Sequence, residues 1–394
     1  MKEKFLKYQA KTTPNPLGLE IYKAKGSYIW DKSGKKYLDF VAGVSVNTVG
    51  HRHPKVIKKI KKQLNHYMHV MVYGEYIQKP TVELCEYIIN KLPNKLETIY
   101  LTNSGTEAIE GALKLAKKST NRRELIAAKN SYHGSTQGAL SLLGVEKQKK
   151  GYEPLLPEVK FIRFNNTNDL NLITDKTAAV VLETIQGGAG FILPKKNYLK
   201  LVEKKCKKVG ALLILDEIQP GFGRTGKLFG FEHFKIIPDI IVMGKGMGGG
   251  LPIGAFCSSK KIMKLLEDKP KHGHISTFAG NPIITASALA TIKILYKENL
   301  MDSIDKKEML FREKLKHPLI KKINGKGLML AIIFDNKSTA NTLVIDAIDK
   351  GLILFWLLWE KKAVRISPPL NITEKEINKG CDIILSILNK IKTA

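Results

Sequence analysis

Two stretches decide how this chain is read: Ala-Leu-Leu-Ile-Leu-Asp-Glu-Ile-Gln, from Ala211 to Gln219, and Asp-Ile-Ile-Val-Met-Gly-Lys-Gly-Met-Gly-Gly-Gly, from Asp239 to Gly250. Each holds a short apolar run with few charges, the pattern of a strand buried on both faces of a parallel sheet. In an open α/β sheet, ligands gather beyond the carboxyl ends of the strands. Asp216 closes the first run and Lys245 closes the second, 29 residues later. Taken singly, an aspartate after a strand reads as a turn residue, and a lysine reads as a solvated surface group. Their standing depends on what else the chain places at strand ends.

The chain is 394 residues long, enough for a large core and more than one domain. Its 43% hydrophobic and 26% charged residues are ordinary for a globular protein. Met1 to Leu19 is polar and broken by Pro-Asn-Pro, so no signal peptide is expected there, and the longest apolar stretch, Leu352 to Trp359, falls far short of the ~20 residues that span a bilayer. The four cysteines, Cys85, Cys206, Cys257 and Cys381, are scattered without metal or redox spacing. A reduced, cytoplasmic protein is expected. The net charge of +29 raises the question of nucleic acid, but the basic residues are spread along the whole chain, only seven are arginine, and no aromatic-basic recognition motif accompanies them. The excess of lysine is read as base composition, and neither a nucleic-acid partner nor a membrane is expected.

Tyr28 to Phe40 reads as a hairpin turning near Asp31 to Gly34. Helices are predicted over Pro54–Tyr67, Ala108–Lys118 and Tyr198–Val209. Buried strands are predicted at Thr98–Thr102, Glu124–Ala128, Ala178–Leu182, Ala211 onward, Asp239 onward and Ile253–Ser258. Strands alternating with helices predict a doubly wound α/β sheet. After Pro282 the pattern shifts to helices near Ile283–Glu298, Met301–Leu315, Ala340–Lys350 and Glu374–Lys392, with a further segment over Gly325–Phe334. The expected division is an N-terminal segment of a small domain (residues 1–53), a large cofactor-binding domain (54–285) and a C-terminal α+β small domain (286–394).

Other strand ends carry chemistry too. Ser104-Gly105-Thr106 lies between a strand and a helix, where amides and hydroxyls suit a phosphate, although an ordinary N-cap reads the same way. Tyr132-His133-Gly134 follows the Glu124 strand, so that Tyr132 could stack on a ring. Glu183-Thr-Ile-Gln-Gly-Gly-Ala-Gly begins at another strand end. Gln219 stands three residues after Asp216 and could bond a phenolic oxygen. A lysine that can form a Schiff base, an acid that keeps a pyridine nitrogen protonated, a phosphate cradle and an aromatic plate suit pyridoxal phosphate.

With those residues in view, the chain resembles the class-III aminotransferases of pyridoxal-phosphate fold type I, closest to the acetylornithine/ornithine aminotransferases. The resemblance runs in order over about residues 15 to 390. It is carried by Tyr-Leu-Asp-Phe…Gly-His-Arg-His-Pro, Asn-Ser-Gly-Thr-Glu-Ala, Tyr-His-Gly, Leu-Asp-Glu-Ile-Gln-Pro-Gly-Phe-Gly-Arg-Thr-Gly, Gly-Lys-Gly-Met-Gly-Gly-Gly-Leu-Pro-Ile-Gly-Ala, Ser-Thr-Phe-Ala-Gly-Asn-Pro and Arg-Ile-Ser-Pro-Pro-Leu. It implies a mostly parallel seven-stranded central sheet with a smaller α+β domain. It implies Lys245 and Asp216 as the catalytic pair, with Gln219 at the ring oxygen and Tyr132 stacked on the ring. Ser104, Gly105 and Thr106 would hold the phosphate, joined by Thr277 from the second subunit of a homodimer. His133 and Glu183 would complete the cofactor site. Arg365 would bind a substrate carboxylate through its planar fork, with Ser276 also near substrate. The implied reaction moves a terminal amino group from acetylornithine or a similar diamino-acid derivative to 2-oxoglutarate, in arginine or lysine biosynthesis. Other activities on the same scaffold, 4-aminobutyrate or ornithine transamination or an aminomutase, are the alternatives.

Two positions depart from the family's pattern. Ser135 stands where a carboxylate-binding arginine is usual. Gly188 stands where a glutamate, able to pair with the carboxylate-binding arginine, is usual. Both bear on which donor is used. Tyr73 and Lys79 match no role, and His51, His53, His66, His69, His272 and His274 have no metal spacing, so no metal is expected.

Overall fold

In a computed structural model, which describes residues 1–391, the central sheet has seven strands in the order Thr98–Thr102, Gly254–Ser258, Ile240–Gly244, Leu212–Asp216, Thr177–Glu183, Glu124–Ala128, Val159–Ile162. Gly254–Ser258 runs antiparallel to both neighbours, and the other pairings are parallel. Every residue of Thr177–Glu183, Glu124–Ala128, Ile240–Gly244 and Gly254–Ser258 is buried. That is the two-faced burial which continuous apolar runs require, each large apolar side chain contributing roughly 1.5–3 kcal/mol. Parallel register brings Glu183 opposite Asp216, so two acids sit side by side at one edge of the sheet.

The predicted strands and the Tyr198–Val209 helix form where expected. The helix after Thr102 is longer than its apolar repeat suggested, Gly105–Thr120, because Ser104 caps it and Asn121 ends it in a left-handed conformation. Val159–Ile162 was not predicted: it is a four-residue edge strand with an exposed lysine, too short and mixed to stand out. Gly325–Phe334, read as one segment, is the turn and second strand of a hairpin, Lys322–Lys326 against Met329–Ile333. The last helix spans Glu374–Leu388, and Lys392, to which it was predicted to run, lies outside the described residues.

Two four-stranded sheets flank the large one. In the first, Ile21–Lys25, Tyr28–Asp31 and Lys36–Asp39 are completed by Leu352–Ile353 from far along the chain. In the second, the order is Lys322–Lys326, Met329–Ile333, Ala363–Ile366, Phe355–Trp356. This last sheet delivers Arg365 and Phe355 as opposite partners on neighbouring strands. Among the described residues no helix is long and apolar enough to cross a membrane, and no three His, Cys, Asp or Glu side chains converge as a metal site.

Candidate active site

Five loops leave the carboxyl edge of the central sheet and meet around one cavity of about 450 Å³. Its walls include Gly105 and Thr106, Tyr132 and His133, Glu183, Asp216 and Gln219, and Lys245, with Arg365 reaching in from the flanking sheet. Residues up to 321 positions apart, Val44 and Arg365, are thereby gathered at one site.

Asp216 is 4% exposed. Its Oδ1 accepts the Ile218 backbone N–H at 2.9 Å, and its Oδ2 lies 2.8 Å from His133 Nδ1. Burial opposes protonation of His133, but the carboxylate outweighs it and raises the imidazole above its ordinary value. The other ring nitrogen, Nε2, is buried without a partner. Glu183 accepts the Tyr132 N–H at 3.1 Å and the Gly187 N–H at 2.7 Å, pinning two loops to one acid. Burial pushes its carboxyl up to about 7, opposed by His133 and assisted by the Asp216 charge beside it.

Lys245 follows the Ile240–Gly244 strand in a single 3₁₀ turn. Its φ is +42°, a left-handed conformation that a lysine adopts at a cost of order 1–3 kcal/mol. Burial lowers its pKa, while Asp216 and Glu183 counter that shift and Arg365 adds to it. An amine shifted in this direction offers a neutral nitrogen at lower pH than a surface lysine does.

The remaining predicted residues are placed as follows. Gly105 and Thr106 open the 16-residue helix, their amides directed as in an anion site. Ser104 caps that helix, accepting the Glu107 N–H at 3.3 Å, and is not on the cavity wall. Tyr132 sits at the wall with its hydroxyl 3.1 Å from the Ser135 hydroxyl. Gln219 donates to the Ser45 hydroxyl at 3.4 Å. Ser276 accepts from the Asn103 amide at 2.8 Å and is off the wall. Thr277 is exposed and does not line the cavity of its own chain. Arg365 is 4% exposed; its Nε donates to the Trp356 carbonyl at 3.1 Å, Nη1 is buried without a partner, and burial pushes its pKa down to about 10.

Sequence reasoning missed part of the wall. Ala42 to Ser45 all have positive φ, between 51° and 66°, a left-handed turn that carries Val44 into the cavity and Ser45 to Gln219. Only Gly43 hinted at it. Phe355, Leu357 and Leu358 form an apolar lip that read as an anonymous hydrophobic stretch. Gly134, at φ +136°, packs against Thr106: a Cβ there would stand 2.1 Å from the threonine hydroxyl oxygen. Gly134→Ala is therefore expected to displace Thr106 and weaken phosphate binding by roughly tenfold or more, one lost charge-assisted bond. Equilibrium dialysis of the cofactor checks this; unchanged affinity would remove Thr106 from the anion site.

The chain matches the family described as Aminotransferase class-III over residues 8–388. It is 40% identical to the acetylornithine aminotransferase of Caldanaerobacter subterraneus subsp. tengcongensis, over 96% of this chain and 97% of that protein. It is also 40% identical to the [LysW]-aminoadipate semialdehyde/glutamate semialdehyde transaminase of Sulfurisphaera tokodaii, over 80% of this chain and 81% of that one. Among solved structures, the ornithine aminotransferase of Toxoplasma gondii, crystallised with partial occupancy of PLP at its active site, superposes with a TM-score of 0.90 at 31% identity, covering 98% of this chain and 93% of that one. On this match along nearly its whole length, the chain belongs to the class-III aminotransferases.

Proposed function

We propose that the protein is a pyridoxal-phosphate-dependent transaminase of amino-acid biosynthesis that takes the terminal amino group of N-acetylornithine, or of a closely similar diamino-acid derivative, and passes it to 2-oxoglutarate. The observation that carries this reading is the cavity's donor set. A lysine of lowered pKa, a buried aspartate bonded to histidine, and an arginine whose buried Nη1 has no protein partner face one space.

The residues fit the cofactor. Gly105 and Thr106 offer a helix N-terminus for the phosphate, Tyr132 an aromatic face, Asp216 an anion for the ring nitrogen and Lys245 the amine. Bound there, pyridoxal phosphate supplies an electron-withdrawing ring that takes up the charge left when the substrate carbon loses its proton. Asp216, whose carboxylate His133 orients, would face the ring nitrogen and keep a proton there. Gln219 is within the same wall to bond the ring oxygen. Lys245 would hold the cofactor through its amine and, with its Nζ free and neutral, would take the proton from the substrate carbon. Arg365 holds the carboxylate of the substrate, its fork matching the two oxygens. The apolar lip of Phe355, Leu357 and Leu358 keeps water from the reacting carbon.

A second copy of the chain belongs to the reading. Met68, Tyr76, Ile77 and Phe278 are exposed large hydrophobic side chains, and Phe278 adjoins Thr277, which is exposed and does not line its own cavity. Thr277 would then serve the phosphate of the neighbouring subunit.

A donor screen with 2-oxoglutarate tests the proposal, comparing N-acetylornithine, succinyl-diaminopimelate, ornithine and 4-aminobutyrate on cofactor-loaded protein at twice the chain mass. The acylated diamino acids are expected to give the highest kcat/KM. Preference for 4-aminobutyrate or ornithine would move the assignment within the family, and no transfer from any donor would defeat it.

A further inference from the structure

The left-handed turn at Ala42 to Ser45 is the most strained piece of backbone near the cavity, because three of its four residues carry a Cβ that disfavours positive φ. Such a conformation persists only where its surroundings over-determine it. Here the lock is Asp39, which is 1% exposed and does not line the cavity. Its Oδ1 accepts the Val41 and Ala42 N–H groups, and its Oδ2 lies 2.8 Å from His51 Nε2. His51 is itself fixed, since its backbone exchanges two hydrogen bonds with Gly26, at 2.9 and 3.0 Å. The segment held in this way touches the site on two sides. The Ser45 hydroxyl accepts from Gln219 Nε2 at 3.4 Å. Gly246, the residue after Lys245, has no room for a side chain: a Cβ there would stand 2.4 Å from Thr48 Oγ1 and 3.5 Å from the Ser45 carbonyl oxygen. The turn and the residues just after it therefore abut the backbone that carries Lys245, itself left-handed at φ +42°.

We propose that Asp39, braced by His51, is a positioning residue of the cofactor site: by holding the left-handed turn it seats Ser45 and Thr48 against Gln219 and the Lys245–Gly246 backbone, and so fixes where the lysine amine and the glutamine amide meet the cofactor ring. The inference rests on the pyridoxal-phosphate reading and adds to it two residues, Asp39 and His51, that lie outside the cavity wall. The Gly105–Thr106 amides, which open a helix on another part of the sheet edge, are outside the reach of this lock.

The test mixes cofactor-free protein with pyridoxal phosphate and follows attachment to Lys245 by visible absorption, a readout that needs no turnover. Asp39→Ala is expected to slow attachment ~tenfold or more, since misplacing a reacting group on the ångström scale costs up to ~10²-fold. Asp39→Asn, whose amide oxygen can still accept both backbone N–H groups, is expected to recover most of the rate. Asp39→Ala/Ala42→Gly is expected to recover part of it, because a glycine at position 42 takes the left-handed conformation without a Cβ. If Asp39→Ala does not fold, His51→Ala, which removes one hydrogen bond from the lock, gives the same reading at about threefold. Inorganic phosphate, used as a competitor of attachment, addresses the Gly105–Thr106 amides alone, and its inhibition constant is expected to stay unchanged in every variant. A purely structural role would weaken phosphate binding and attachment together. That result overturns the positioning role, as does native attachment in Asp39→Ala (or in His51→Ala where it stands in), or the absence of recovery in the glycine variant; each leaves the cofactor reading intact. Native protein that takes up no pyridoxal phosphate overturns the reading beneath it and the positioning role with it.

Discussion

Lys245→Ala is expected to lower kcat by at least ~10⁴-fold with every donor, because in the proposed mechanism one side chain supplies both the attachment point for the cofactor and the base that moves the substrate proton. The structure explains why no neighbour can substitute. Lys245 follows directly on a wholly buried strand, in a left-handed conformation that aims it into the cavity. Its amine takes part in no ion pair or side-chain hydrogen bond among the described residues, so its removal leaves no partner stranded. Burial lowers its pKa while the acids Asp216 and Glu183 restrain that shift, so its neutral form is reached at lower pH than that of a surface lysine. Arg365, the other cation at the wall, stays charged even with burial pushing it down to about 10, and cannot act as a base near neutral pH. Reduction with borohydride followed by peptide mass spectrometry is expected to find the cofactor fixed to Lys245 in the native chain and nowhere in the variant. Turnover within tenfold of native would assign the chemistry to another group.

The sequence makes the strand-end residues legible for a physical reason. A parallel strand buried on both faces reads as an uninterrupted apolar run, so its carboxyl end is marked by the first polar residue. Asp216, Glu183 and Lys245 are all found that way. What the chain does with those ends in space is another matter. His133 and Asp216 are 83 residues apart, and nothing in the Tyr-His-Gly motif says that the histidine is bonded to the acid. The strand Ala363–Ile366 is four residues long with an arginine in its middle, so only its resemblance to a motif singled out Arg365. The turn at Ala42–Ser45 combines a left-handed backbone with a β-branched Val44, against local preference, and is held by Asp39 accepting the Val41 and Ala42 amides at 2.8 and 2.9 Å. Local propensity cannot show a conformation that only tertiary contacts maintain. The substitution at Gly188 was legible as a missing acid. The close packing of the Trp359 indole against Gly188, 2.6 Å from where a Cβ would stand, was not, because the contact is long-range and the Leu352–Trp359 stretch reads only as hydrophobic.

Asp216→Asn is expected to lower kcat by roughly 10³-fold, the scale on which one preorganised electrostatic group acts in a water-poor site. The substitution keeps shape and removes charge. In the native chain both carboxylate oxygens accept, one from the Ile218 N–H and one at His133 Nδ1. An asparagine has a single oxygen, so either its amide faces the Ile218 N–H or it faces the imidazole; one buried donor goes unpaired, at about 1–3 kcal/mol of stability. The electrical consequence is larger. With the anion gone, burial prevails at His133 and its pKa falls, Lys245 loses one of the two acids that restrain its own lowering, and Glu183 loses the like charge that helps to hold its carboxyl at about 7. In the proposed mechanism the ring nitrogen would then have no anion to keep it protonated, so the charge left by proton removal would have nowhere to settle. Stopped-flow kinetics of the first half-reaction separates this from simple loss of cofactor, and urea denaturation of the cofactor-free protein reads the stability cost alone. His133→Asn, which keeps the aspartate but removes its imidazole partner, is expected to be the milder of the two. An Asp216→Asn protein that reacts at the native rate while losing the same stability would reduce Asp216 to a turn residue for Ile218, and with it the reading of this strand end as the floor of the cofactor site.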